Sequence, residues 1–360
     1  MLIKNRTYTD DQMNKTFFII FLPILLLCNR VNAIDISRHL STTTEPTPTF
    51  RVDPKYPKNA ARNSREGWAR FSFIIEKDGS VSNVITKETS GSEDITLAAK
   101  KAVMQWKYQP AMEDGEPIQQ CANSVQLSFK MNKQKNSATG ATRRFQYLYS
   151  KTKVALAEKN YVEAKELLSK FKKIKHMHLS ENNFLQLLSA QYANEIGDPA
   201  LQLSHLNKVS FSSEPESHQH VLSMLKQKFI LEIKLNQLKS AYNTFKRLEK
   251  IAADEPYLAD YQALIKRVDE FVNSDKELVI AADIRQDDYW HYALVRNEFT
   301  LTNITGKLTK MDIRCANKRH IYTIENNNTW KIPDAWQQCN VYIFGLNNTT
   351  FNLVEHPFTA

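Results

Sequence analysis

From Trp68 to Glu88 the chain reads WARFSFIIEKDGSVSNVITKE, two runs that alternate apolar and polar residues around Asp78-Gly79. An Asp-Gly pair between alternating runs is a strong local hairpin signal, because both residues accept positive φ. The period then changes. Ile95, Ala98, Ala99, Ala102, Val103 and Trp106 recur at three- and four-residue spacing, which predicts a helix over Asp94 to Trp106 with Ser92 as its N-cap. In AVMQWKYQP, Ala102 to Pro110, Trp106 and Tyr108 are two residues apart, the spacing of one strand face, and Pro110 prevents the helix from continuing. Val125, Leu127, Phe129 and Met131 alternate once more. The order β-β-α-β predicts an antiparallel sheet covered by one helix, an α+β unit over residues 51–133.

From Arg143 to about Asp275 the pattern is helical throughout, after a hinge at NSATG. NYVEAKELL, DPALQLSHL and NQLKSAYNTF occupy equivalent positions, each following one helix and starting another, and Ala164, Leu203 and Ala241 recur at intervals of 39 and 38. This resembles tetratricopeptide-like helical hairpins, stretched beyond the usual 34 residues, followed by a terminal helix from Tyr257 to Val272. An all-α helical-repeat domain is therefore expected over residues 134–275. After Lys276, runs such as ELVIAADI, YWHYALV and CNVYIFGL read as strands separated by Asn, Gly and Asp, predicting a small all-β, sandwich-like domain over residues 276–360. Trp290, Trp330, Trp336, Tyr342 and Phe344 are expected in its packing.

The N-terminus changes the reading of charge and cysteine. FFIIFLPILLLC, Phe17 to Cys28, is apolar but too short to span a bilayer, and Val31 and Ala33 stand where a signal peptidase needs small residues. A signal peptide over residues 1–33 is expected, then an extended Thr/Pro linker over residues 34–50 that includes STTTEPTPTF. Retention of the leader would instead anchor the chain in the inner membrane, facing the periplasm. Cleavage removes Cys28 and leaves Cys121, Cys315 and Cys339 in an oxidising compartment. Cys315 and Cys339 share the last segment and are expected to pair, closing a loop of 24 residues that contributes roughly 3–4 kcal/mol. Cys121 is then a buried thiol. The net charge of +9 becomes +7 once the leader's Lys4, Arg6, Lys15 and Arg30 are removed with Asp10 and Asp11. Spread over a helical surface in an exported protein, it argues against a nucleic-acid partner.

Candidate chemistry is thin. Glycine is scarce at 8 residues, and no Gly-rich phosphate loop, G-x-S-x-G or H-E-x-x-H occurs. His176 with His178, and His218 with His220, have no nearby cysteine, and a closed zinc site needs four converging ligands. His291, in YWHY, is expected as a core histidine. Lys170 to Lys175, KFKKIK, reads as a solvated helix end. No catalytic residue, metal site or cofactor is assigned.

The first unit also carries a family resemblance. Tyr56-Pro57, Gly67 before the first strand, Asp78-Gly79-Ser80-Val81, the Ala98 to Trp106 helix, Tyr108-Gln109-Pro110-Ala111 and Gly115 resemble the C-terminal domain of the energy transducer TonB. The resemblance covers less than a quarter of the chain. It implies a non-catalytic periplasmic domain that engages outer-membrane receptors by adding a receptor peptide as an extra strand to an exposed sheet edge. Carried over, the last strand would be the receptive edge, with Ser124, Gln126 and Ser128 along it and the Tyr56-Pro57 segment nearby. The readings left open are an adaptor in TonB-dependent transport, an envelope scaffold that binds peptidoglycan and recruits partners through its helices, and a membrane-anchored transducer.

Overall fold

A computed structural model describes residues 43–90, 92–131, 141–174, 177–211, 218–252, 256–285, 288–324, 328–336 and 338–358. The expected signal peptide lies outside the described residues. The chain continues from there through three modules that touch one another.

In the first module, β1 (Thr43–Thr44), β2 (Thr47–Phe50) and α1 (Lys58–Arg62) precede a hairpin of β3 (Gly67–Ile75) and β4 (Val81–Thr89). Then come α2 (Glu93–Val103), the short strands β5 (Lys107–Gln109), β6 (Ala111–Glu113) and β7 (Glu116–Ile118), and the long β8 (Gln120–Phe129). The main sheet has the order β4-β3-β8, all antiparallel. Ala69, Phe71, Phe73 and Ile75 of β3 pack against Ile95, Ala99 and Val103 of α2, with Trp106, Tyr108 and Phe129 completing the core. The helix ends at Val103, and Tyr108 turns inward from β5 while the Trp106 indole donates to Val52 O at 2.9 Å. Gly79 adopts φ +79°, and a Cβ there would lie 1.9 Å from Tyr108 O. Only glycine lets β5 cross the hairpin turn this closely, where Tyr108 N donates to Gly79 O at 2.9 Å.

Ser92 is the N-cap residue of α2 as expected, but its hydroxyl makes no capping bond; it donates to Asp94 and accepts from Arg65, and Asp94 takes the Ile95 N–H. One local expectation is corrected. Residues 34–42 of the expected Thr/Pro linker lie outside the described residues; the rest of it is extended as expected, yet it is not a free spacer. Pro48 and its neighbours in β2 pair with β5, and β1 pairs with β6, so residues 43–50 belong to the module.

The second module is helical: α3 (Arg143–Ala157), α4 (Tyr161–Phe171), α5 (Leu179–Glu195), α6 (Pro199–Asn207), α7 (His218–Lys234), α8 (Leu238–Ile251) and α9 (Leu258–Val272). The pairs α3/α4, α5/α6 and α7/α8 are joined by the same turn. Lys159, Gly197 and Asn236 take φ +56°, +73° and +56°. The next residue then donates back across the helix end: Asn160 N to Ala155 O at 2.8 Å, Asp198 N to Ala193 O at 2.9 Å, and Gln237 N to Glu232 O at 2.7 Å. A left-handed residue followed by this long bond is how a helix C-terminus satisfies its last carbonyls before a sharp reversal. Ala164, Leu203 and Ala241 are all buried just beyond these turns.

The third module has two antiparallel four-stranded sheets. One contains β10 (Tyr289–Ala293), β15 (Asn340–Gly345), β12 (Leu308–Arg314) and β13 (Arg319–Tyr322) in that order. The other contains β14 (Thr329–Lys331), β11 (Glu298–Thr305), β16 (Thr349–Glu355) and β9 (Leu278–Ile284). Their inner faces share one core, and Cys315 and Cys339 form a disulfide beside it. Arg296 ties this module to the helices. Its guanidinium donates to the carbonyls of Phe271, Val272 and Ser274 at the end of α9, and to Lys276 O and Glu355 O. A buried cation at a helix C-terminus satisfies carbonyls that have no partner within the helix.

Beneath Arg296, the Glu355 carboxylate accepts the backbone N–H groups of Val295 and Arg296. Burial nevertheless raises its pKa from 4.5 to about 7, the hydrogen bonds and Arg296 offsetting part of the cost. Between those two values the folded chain keeps a proton that the unfolded chain has released. Stability therefore falls as pH rises through this window, by about 3 kcal/mol, and is flat above it. Glu355→Gln is expected to abolish that component: the difference in unfolding free energy between the two proteins should change between pH 4.5 and 7 and be constant beyond.

Candidate functional site

The candidate site is an edge of the first sheet. Ser90 N donates to Trp68 O at 2.9 Å, which aims the backbone groups of Trp68 at β4. Backbone direction alternates along a strand, so Gly67, Ala69 and Phe71 aim theirs at β8. Their partners there are Phe129, Leu127 and Val125. Ser124, Gln126 and Ser128 therefore turn their backbone N–H and C=O groups outward, away from β3. Ser124 and Ser128 are exposed. Gln126 is engaged on the sheet face: its amide accepts from Arg70 at 2.8 Å and donates to Ser210 Oγ at 2.9 Å. Tyr56 reaches β8, its ring edge-on to Phe129 at 5.3 Å, with its hydroxyl donating to Arg65 O at 2.8 Å. Pro57 does not join it; it flanks α1, where its carbonyl takes the Ala61 N–H.

The opposite edge, β4, is held by the third module. Arg314 donates to Asn83 O at 3.1 Å, the Tyr289 hydroxyl donates to Thr86 O, and Arg319 donates to the Asn83 side chain at 3.1 Å. Both arginines also clasp Asp312, each through a contact of 2.8 Å. Burial opposes ionisation of Asp312, but the hydrogen bonds and charges of Arg319 and Arg314 prevail and hold its pKa below the ordinary value. Asn83 takes φ +47°, a conformation asparagine tolerates better than most residues.

The face of the sheet away from α2 is covered too. Trp68 and Ile74 point there and have no exposed surface. Lys228 of α7 feels the charges of Glu88 and Arg70 across this boundary, and Glu232 that of Glu88. Burial lowers the pKa of Lys228 and raises that of Glu232. Glu66 accepts Met131 N at 2.8 Å and Leu179 N at 3.0 Å, linking the end of β8 to the start of α5. Cys121 N meets Ala316 O at 3.4 Å; the thiol is buried and free, and burial pushes its pKa up to about 12, so it carries no thiolate at neutral pH.

Among the described residues the histidines form no cluster. His178 precedes α5, and His218 and His220 lie in the first turn of α7; His176 is outside the described residues. His291 is half-buried against Tyr289 and Tyr342, and desolvation lowers its pKa to about 3. Among the described residues there is no group of three or more His, Cys, Asp or Glu arranged to hold a metal. The inter-module residues Asn83, Tyr289, Arg314, Arg319 and Glu66 had no sequence signal of their own. One indirect signal existed: Trp68 and Ile74 stand on the face of β3 opposite Phe71 and Phe73, so large apolar residues occur on both sides of the strand, as in a strand covered on both sides.

Residues 52–131 match the family described as Gram-negative bacterial TonB protein C-terminal. Protein TonB of Vibrio cholerae is 29% identical over 68 residues, 19% of this chain and 28% of the relative. Protein TonB2 of Pseudomonas aeruginosa is 34% identical over 79 residues, 22% of this chain and 29% of the relative. The chain thus spans less than a third of the length of these curated relatives. Among solved structures, the TonB2 protein from Vibrio anguillarum is 31% identical, covering 25% of this chain and 84% of that one at a TM-score of 0.21. The Pseudomonas aeruginosa TonB C-terminal domain is 20% identical, covering 26% and 92% at a TM-score of 0.22. The family match falls on the first module.

The clasp on β4 is open to test. Arg314→Met removes one of two cations from a buried carboxylate and frees Asn83 O, and should cost about 2–4 kcal/mol of stability in chemical denaturation. Amide exchange in Ser82 to Thr86 should accelerate in the same variant. A loss below about 0.5 kcal/mol, typical of an exposed pair, would show that the clasp is not needed.

Proposed function

We propose that this chain is a periplasmic, non-catalytic adaptor in TonB-dependent outer-membrane transport, and that it binds receptor peptides by strand addition at β8. The observation that carries this reading is the outward set of backbone groups at Ser124, Gln126 and Ser128, within the segment that matches the TonB C-terminal family. Backbone pairing on an edge gives affinity with little demand on peptide sequence. Tyr56, packed on Phe129, would flank the incoming strand. The sheet presents this edge because its other edge is occupied by Arg314 and Tyr289. The helical module acts as a scaffold of tetratricopeptide-like repeats, a reading supported by its three matching turns. The periplasmic location rests on the leader read from the sequence and on the envelope location of the relatives. Among the described residues no helix is long and apolar enough to cross a membrane.

Proline substitution tests the edge without disturbing the sheet, because the lost N–H faces away from β3. Ser124→Pro and Ser128→Pro are each expected to weaken binding of a labelled receptor plug peptide by about tenfold or more, with the unfolding midpoint nearly unchanged. Undiminished peptide affinity in both variants, or retention of cell-wall fragments in place of receptor peptides, would count against the proposal.

A further inference from the structure

A second edge strand lies elsewhere in the molecule. Strand β9 is the outer strand of its sheet, and among the described residues it pairs only with β16. Ile284 O accepts from Asn348 N at 2.7 Å, so even-numbered residues of β9 aim their backbone groups at β16. Val279, Ala281 and Asp283 aim theirs the other way, and the Asn236 side chain in the α7/α8 turn donates to Val279 O at 2.8 Å from that side. Among the described residues nothing else hydrogen-bonds there to the Ala281 or Asp283 backbone. Val279 is 45% exposed, and Ala281 is exposed.

These residues line a cleft of about 1860 Å³ bounded by all three modules. Its helical wall comes from α4, α5 and α6 and includes apolar Leu168, Phe171, Leu185 and Tyr192. Its charge is one-sided. Arg65, Lys165, Lys172, Lys208, Lys234 and Arg285 line it against only Glu66 and Asp283. Arg65 is paired with Asp94 and Arg285 with Asp283, and both Glu66 oxygens are taken by backbone N–H groups. Lys165, Lys172 and Lys234 belong to none of the ion pairs among the described residues. His205 adds no charge, because burial first, and Lys208 after it, lower its pKa to about 4.

We propose that this cleft binds an extended acidic peptide, laid as a fifth strand against β9 with its carboxylates toward the lysines of α4 and the end of α7. Backbone groups at Ala281 and Asp283 would pair with the peptide, the lysines would select its charge, and the apolar helical wall would take its alternate side chains. The site shares no residue with the β8 edge, so the two can fail separately.

The probe is a fluorescein-labelled ten-residue peptide of alternating Glu and Val, titrated by anisotropy into the full chain. Binding should be saturable. It should fall about tenfold or more in Lys165→Glu/Lys172→Glu/Lys234→Glu, which reverses three charges. It should fall similarly in Ala281→Pro, where proline replaces an N–H that β16 does not use. Ser128→Pro should leave it unchanged. As a readout independent of folding changes in a variant, the Ala281 and Asp283 amides of the unmodified protein should gain exchange protection when the peptide is added. The proposal is overturned if the unmodified protein does not bind the peptide, or if those two amides stay unprotected at saturation. It is equally overturned if Ala281→Pro binds normally while hyaluronate or anionic phosphatidylglycerol vesicles displace the peptide, which would mark a general polyanion surface.

Discussion

Strand β3 is buried on both faces, and the rest of the molecule answers to that constraint. On one face Phe71 and Phe73 pack under α2, as an antiparallel sheet with a single covering helix requires. On the other, Trp68 and Ile74 have lost all contact with solvent. Covering two such side chains contributes roughly 1.5–3 kcal/mol each, and an open sheet would forfeit it. On that face Arg70 pairs with Glu88 and Gln126, and Gln126 in turn with Ser210 of the helical module.

The same docking decides which edges of the sheet remain available. Asp312, Arg314 and Arg319 form a buried charge cluster whose donors extend to β4, and Tyr289 adds a hydroxyl a turn further on. Strand β4 is thereby given a partner made of side chains, which blunts an edge without adding a strand. Strand β8 is held at its ends, by Cys121 near Ala316 and by Glu66 at Met131, and keeps its outward backbone groups along Ser124 to Ser128. A binding edge that is fixed at both ends and backed by a covered sheet loses little conformational freedom when a peptide adds to it.

Much of the local architecture was legible in the sequence. Period two and Asp78-Gly79 located the first hairpin; period 3.6 yielding to Trp106 and Tyr108 placed the end of α2 to within a turn. The 39- and 38-residue spacing of Ala164, Leu203 and Ala241 found the three helix pairs, because each turn repeats the same left-handed geometry. Cys315 and Cys339 were paired from compartment and proximity, and they are bonded. The alternation of Ser124, Gln126 and Ser128 along β8 was readable as well, whereas the contact of Gln126 with Ser210 was not. Contacts such as Arg314 to Asn83 join residues 231 positions apart and leave no period to detect. Pro48 posed a different difficulty. Proline and threonine suggest a solvated linker, yet an edge strand accepts proline where its missing N–H would face outward, and β2 pairs with β5.

The central claim is that β8 is the strand to which a partner peptide adds. Amide hydrogen exchange resolved to single residues, on the full chain with and without a saturating receptor plug peptide, tests it most directly. The account predicts that the Gln126 and Ser128 amides exchange readily in the free protein and become protected on binding, while Val125 and Leu127, already bonded to β3, change little. Protection that appears only on β4, or binding that leaves Gln126 and Ser128 unprotected, would contradict it.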